Sequence, residues 1–134
     1  QALLRRHPQL RANLPGATFA ALTVNAGLQS CLPPHQDPDT VHGWCADTPP
    51  AKYDPDKGGH LVLWVLHLTI RFPAGITILF FSELITHSMI PIQRGKTRYA
   101  LIQYSSGGLF RFRVIGFPSD KNFLSKPIKK ELRE

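Results

Sequence analysis

From His60 onward the chain is a succession of short apolar runs separated by turn residues. HLVLWVL (60–66), HLTIRF (67–72), ITILFFS (76–82), TRYALIQYS (97–105) and LFRFRVIGF (109–117) follow one another with short connections that contain Pro or Gly. Runs of this length, rich in β-branched and aromatic residues, predict strands, and their near-regular spacing predicts an antiparallel sandwich or barrel. Pro73-Ala74-Gly75 and Arg94-Gly95-Lys96 have the composition of turns. LVLWVL (61–66) and ITILFF (76–81) are too short to cross a membrane and read as buried strands. A chain of 134 residues has room for one core, burying about 68% of the surface that its unfolded form exposes. The fold expected is mainly β, a double-sheet jelly roll with short terminal helices.

Upstream of His60 the pattern differs. Residues 1–13 (QALLRRHPQLRAN) read as a helix interrupted near Pro8, and Pro15-Gly16 breaks it. Residues 17–25 (ATFAALTVN) read as a strand. Residues 26–59 are rich in Pro, Gly and Asp and read as loops around a site, closed by turns at Asp54-Pro55 and Gly58-Gly59. At the other end Ser119 suits a cap for a helix expected at 120–125, and Pro127 suits a first helical turn. The expected division is a helical segment at 1–15, one domain at 16–118 and a basic helical segment at 119–134. A start at Gln1 rather than Met is what a piece of a longer chain would show. No internal repeat or low-complexity segment is present.

Sixteen Lys and Arg against nine Asp and Glu give a formal charge of +7. That balance suits a polyanion such as DNA or RNA, and equally an unspecialised basic surface. Two cysteines, Cys31 and Cys45, are too few for a disulfide scaffold, so reduced thiols are expected.

The chemistry-bearing residues are scattered. In His35-Gln36-Asp37 the two ligand types flank one residue, so on an extended segment both side chains share a side and can chelate one ion. His87 follows much later, and Arg98 shortly after that. Two histidines and a carboxylate can occupy one face of an octahedral iron and leave three positions open. An arginine after the second histidine can hold the far carboxylate of an organic acid. That is the ligand order of iron(II)/2-oxoglutarate oxygenases. Bland readings stand beside it: His87, among apolar and small residues, also suits a hydrogen-bonded structural histidine. Strand parity puts Arg98, Ala100, Ile102 and Tyr104 on one side. Either that side faces the interior and Arg98 meets an anion there, or Arg98 faces solvent with Tyr99 and Leu101 in the core. A rival metal set, Cys31, His35, His42 and Cys45, would suit tetrahedral zinc but leaves Asp37, His87 and Arg98 without a role. Neither Gly58-Gly59 nor Gly107-Gly108 has phosphate-loop spacing.

The flanking sequence carries a resemblance. Thr23-Val24-Asn25-Ala26-Gly27, His35-Gln36-Asp37, Gly43-Trp44-Cys45-Ala46, Lys57 to Trp64 (KGGHLVLW), Ile70 to Gly75 (IRFPAG), Thr77-Ile78-Leu79, His87-Ser88, Ile92-Gln93, Thr97-Arg98-Tyr99 and Gln103 to Arg111 (QYSSGGLFR) occur in order. Together these resemble the TET/JBP-like 2-oxoglutarate oxygenases expanded in mushroom-forming fungi alongside transposons, over roughly residues 16–125. The resemblance implies a double-stranded β-helix holding Fe(II), with His35, Asp37 and His87 as metal ligands and catalytic centre. It implies Arg98 as the partner of the 2-oxoglutarate distal carboxylate. It further implies oxidation of the methyl group of a modified pyrimidine in DNA, 5-methylcytosine or thymine, and a nuclear location. The base would be flipped out of the duplex and stacked on an aromatic ring. Trp44, Trp64, Tyr53 and Phe110 are the candidates, with Trp64 expected in the core. The chain departs from the family pattern at Thr40, Val65, Arg71 and Phe80-Phe81. The alternative is a decayed or truncated copy that binds DNA or is inactive, without turnover.

Overall fold

The computed structural model describes residues 15–28, 31–38, 43–114 and 116, with Arg5 and Asn122 as isolated positions. The helices expected at 1–13 and 120–125, the segments flanking 16–118, and Thr40 and His42 lie outside the described residues or almost wholly so. The described chain is mainly β, with antiparallel pairing throughout. In order the elements are β1 (Ala21–Asn25), β2 (Cys45–Thr48), β3 (Ala51–Lys52), β4 (Leu61–Leu63), a 3-10 turn (Trp64–Leu66), β5 (Leu68–Ile70), β6 (Ile78–Phe80), β7 (His87–Met89), β8 (Thr97–Arg98), β9 (Ala100–Tyr104) and α1 (Gly107–Val114). One sheet runs β1-β9-β2-β6, a second runs β5-β4-β7, and β3-β8 form a two-stranded ladder. Among the described residues no helix is long and apolar enough to cross a membrane.

The strand period explains the core. Leu61 and Leu63 are buried while Val62 between them is partly exposed, so β4 turns alternate residues inward. Phe72, Phe80 and Met89 complete the cluster, with Ile70, Ile78 and Ile85 against it. Its members come from β4 and β7 of one sheet and β6 of the other, so the two larger sheets share one apolar interior. Both expected turns form: the Ile76 amide donates to Pro73 O, and the Lys96 amide donates to Gln93 O.

Two runs depart from the expected strands. LVLWVL stops being a strand after Leu63, because β4 and β5 are a hairpin in the register Leu63↔Leu68 and the intervening residues make its turn. His67 closes that turn in the left-handed region at φ 53°. Trp64 is consequently 49% exposed rather than core. LFRFRVIGF is the larger departure, since 107–114 form helix α1. Its alternation of apolar and basic residues imitates a half-buried strand. No residue of α1 is buried, however, so no sheet face rewards that alternation. Arg71 pairs with Asp56 at the surface and takes no part in the interior.

The stretch 26–59, expected as loops around the site, contains β2 and β3 because residues 45–48 pair with β6 and β9 and residues 51–52 with β8; the part after β3 is a loop strapped to the sheet. The Asp54 amide donates to Gln93 Oε1 (2.9 Å), and Gln93 Nε2 donates to Asp54 O (3.1 Å). Gly59 closes the loop at φ 70°, and a Cβ there would meet the Tyr53 ring at 2.5 Å. The Tyr53 hydroxyl donates to Phe72 O, so the ring cannot swing aside cheaply. Gly59→Ala is therefore expected to lower stability by about 1–3 kcal/mol in urea unfolding, through a strained φ and overpacking. An unchanged midpoint would show that this loop yields freely.

Candidate metal centre

β7 places the first ligand candidate. All three of its residues are buried, and His87 retains 8% exposure. The upstream segment is tied to β7 by main-chain pairing: the His35 amide donates to His87 O (3.0 Å), and the His87 amide donates to His35 O (2.9 Å). The Met89 amide donates to Leu32 O, and the Asp37 amide donates to Ser82 O. This backbone ladder brings together residues that are far apart in sequence. His35 Nε2 lies 3.8 Å from Asp37 Oδ1, and His87 Nε2 lies 4.0 Å from Asp37 Oδ2. One ligand atom from each residue falls within 4.8 Å of the others, the only such grouping of three or more His, Cys, Asp or Glu among the described residues.

The second nitrogens decide what the first can do. His35 Nδ1 lies 2.8 Å from Pro33 O, and His87 Nδ1 lies 2.9 Å from Ile85 O. A carbonyl only accepts, so each Nδ1 carries the hydrogen and donates it. Each Nε2 then presents a lone pair toward Asp37, the outer-partner arrangement that orients histidine ligands. Burial holds the His87 imidazole below its ordinary pKa; the nearby His35 acts in the same direction, while the Ile85 carbonyl and Asp37 oppose it. A neutral imidazole is the ligating form. The Phe80 ring meets His87 edge-on at 4.9 Å and fixes its plane. Two nitrogens, one carboxylate and no thiolate suit a divalent first-row metal that keeps open positions, Fe(II) among them.

Of the rival set, His42 lies outside the described residues, and Cys31, His35 and Cys45 do not converge as a ligand group. Cys31 Sγ donates to Met89 O. Burial pushes the Cys45 thiol up to about 11, so it stays protonated at neutral pH.

Arg98 takes the interior reading. It is 2% exposed, and with Ala100 and Ile102 it lines a cavity of about 70 Å³ that also contains His35, Asp37 and His87. The cavity lies between the two larger sheets, walled by Cys45, Phe80 and Met89. At about 15 Å³ per water-sized group it has room for a small molecule and nothing larger. Arg98 packs over the Phe72 ring at 5.7 Å and donates weakly to Met89 Sδ. Its anion is Asp47 on β2, with Nη2 3.6 Å from Oδ2. Sequence reasoning missed Asp47. The available signal was an acidic residue, uncommon in strands, at the same parity as Cys45 in a run between turns.

The aromatic candidates separate by environment. Trp44 is half exposed and stacks on Phe81 at 4.2 Å. Tyr53 is held against Phe72 O, and Phe110 lies on α1. Trp64 donates from Nε1 to Ser88 Oγ (3.0 Å) and, with Pro34, Val65 and Thr86, forms an open apolar recess. Pro34 and Thr86 are the chain neighbours of His35 and His87, but none of the residues that form the recess lines the cavity that holds the ligand candidates. No family model matches the chain, and no curated protein matches it.

Proposed function

We propose that this protein is an Fe(II)/2-oxoglutarate-dependent dioxygenase of double-stranded β-helix architecture, acting on the methyl group of a modified pyrimidine, 5-methylcytosine or thymine, in DNA. The observation that carries this reading is the meeting of His35 Nε2, His87 Nε2 and the Asp37 carboxylate at a partly open cavity lined by a buried arginine. When bound, iron and 2-oxoglutarate supply the oxidising chemistry: decarboxylation of the oxo acid to succinate, coupled to hydroxylation of a C–H bond by dioxygen.

The chain's own residues do the rest. His35, Asp37 and His87 would hold the metal, with Pro33 O and Ile85 O keeping both imidazoles in the ligating tautomer. Arg98 would receive the distal carboxylate of the co-substrate. The apolar walls of the cavity, Phe80, Met89 and Ile102 among them, exclude bulk water. The extruded base would stack on an aromatic ring at the mouth of the cavity. The charge of +7, to which the exposed Arg111 and Arg113 contribute, favours a phosphate backbone and hence a nuclear partner.

Incubation with Fe(II), 2-oxoglutarate and duplex DNA containing 5-methylcytosine is expected to release succinate and 5-hydroxymethylcytosine together, read by mass spectrometry. His87→Ala is expected to release neither. Metal binding without turnover on any methylated DNA would identify the alternative, a copy that binds without acting.

A further inference from the structure

Asp47 is the one charged group lining the cavity that the proposed reaction does not use. It lies on β2, the strand flanked by β9 and β6, in register with Ile102 on one side and Ile78 on the other. Cys45 and Asp47 both line the cavity, so alternate residues of β2 face it. The Asp47 side chain is 13% exposed, its Oδ2 approaches Arg98 Nη2 at 3.6 Å, and its Oδ1 has no hydrogen-bond partner. The cavity that it lines is otherwise walled by Phe80, Met89, Ala100 and Ile102, none of which can stabilise a carboxylate.

We propose that Asp47 is a built-in competitor for the carboxylate that Arg98 receives, and so sets how tightly this chain holds a dicarboxylate co-substrate. The inference rests on the oxygenase reading above. A carboxylate entering this small cavity toward Arg98 meets a second carboxylate already beside the same guanidinium. Like charges in a water-poor space repel strongly, so the guest and Asp47 share one cation at a cost in affinity. Burial holds the Asp47 carboxyl above its ordinary pKa and the Arg98 charge only partly offsets this, in keeping with a poorly compensated group. The competition acts at the distal end of the guest. A 2-oxo acid without a distal carboxylate does not contend for Arg98 and is indifferent to Asp47.

The test uses protein loaded with Ni(II), which binds the same donor set without turnover. Calorimetric titrations compare 2-oxoglutarate with 2-oxopentanoate, which has the same five-carbon chain without the distal carboxylate. Asp47→Asn keeps the volume and removes the charge. It is expected to tighten 2-oxoglutarate by at least about tenfold while moving 2-oxopentanoate by less than about twofold. Asp47→Ser, which leaves room for water beside the guanidinium, is expected to do the same and carries the test if the asparagine variant does not fold. Equal tightening of both acids would overturn the proposal, since it would mean a general field rather than competition at Arg98. Weakened 2-oxoglutarate would also overturn it, assigning Asp47 to hold Arg98 in position. Ni(II) binding with unchanged 2-oxoglutarate affinity in both variants overturns the competition alone. Failure of the wild type to bind Ni(II) overturns the metal-centre reading and the competition with it.

Discussion

His87→Ala is expected to lose divalent-metal affinity by more than about a hundredfold, because even the outer partners of histidine ligands cost about 10–100-fold when removed. His87 is the most enclosed of the three ligand candidates: its side chain is 10% exposed, against 30% for His35 and 38% for Asp37. Water cannot easily replace the lost nitrogen, since the Phe80 ring stands against the imidazole. The measurement is Co(II) or Fe(II) titration under anaerobic conditions, with His67→Asn as the control. His67 is a surface histidine in the left-handed region, which asparagine tolerates. Undiminished metal binding by His87→Ala would sink the three-ligand centre.

The second large effect falls on stability. Arg98→Leu leaves the Asp47 carboxylate buried without its cation, and is expected to cost about 3–5 kcal/mol in urea unfolding. The double variant Arg98→Leu, Asp47→Leu removes both charges and is expected to recover most of that loss, since apolar residues of similar size fit a wall of Phe72, Phe80 and Ile102. The single variant also has a stronger pH dependence. Burial already raises the Asp47 carboxyl and Arg98 opposes this, so losing Arg98 raises it further, and stability rises as the pH falls from the folded pKa to the unfolded one. A single variant within about 1 kcal/mol of wild type at neutral pH would show that water reaches Asp47 and that the pair is solvated.

What was legible in the sequence follows from where local signals agree with tertiary demand. Pro73-Ala74-Gly75 and Arg94-Gly95-Lys96 make their turns because turn chemistry is local and the flanking strands ask nothing else of them. Parity placed His35 and Asp37 on one side and Arg98 with Ala100 and Ile102, and both groupings line the cavity. Parity could not say which face of β8 and β9 is interior. That depends on β7 of the other sheet, whose His87 and Met89 line the cavity together with Arg98. The run 109–117 misled because alternation is a demand for a sheet partner, not a supply of one. β9 already has β1 on one side and β2 on the other, so no edge there is open to a further strand. Trp64 misled for a related reason: an apolar run does not announce where a hairpin turns. Asp47 was unreadable as a partner of Arg98, since their pairing depends on the relative placement of β2 and β8.

The main-chain pairing of His35 with His87 has a consequence for how this site can vary. Two amide–carbonyl hydrogen bonds fix the separation of the histidines, so their spacing does not depend on the length of the chain between them. Extra residues at the exposed turn Ala74-Gly75, between the two histidines, would then be absorbed as loop closure, at only about 0.6 kcal/mol for each doubling of loop length. A residue inserted between His35 and Asp37 would instead turn the carboxylate away from both imidazoles. The site is thus modular on one side of Asp37 and indivisible on the other. A residue inserted after Ala74 should therefore leave metal binding intact, and one inserted after Gln36 should abolish it.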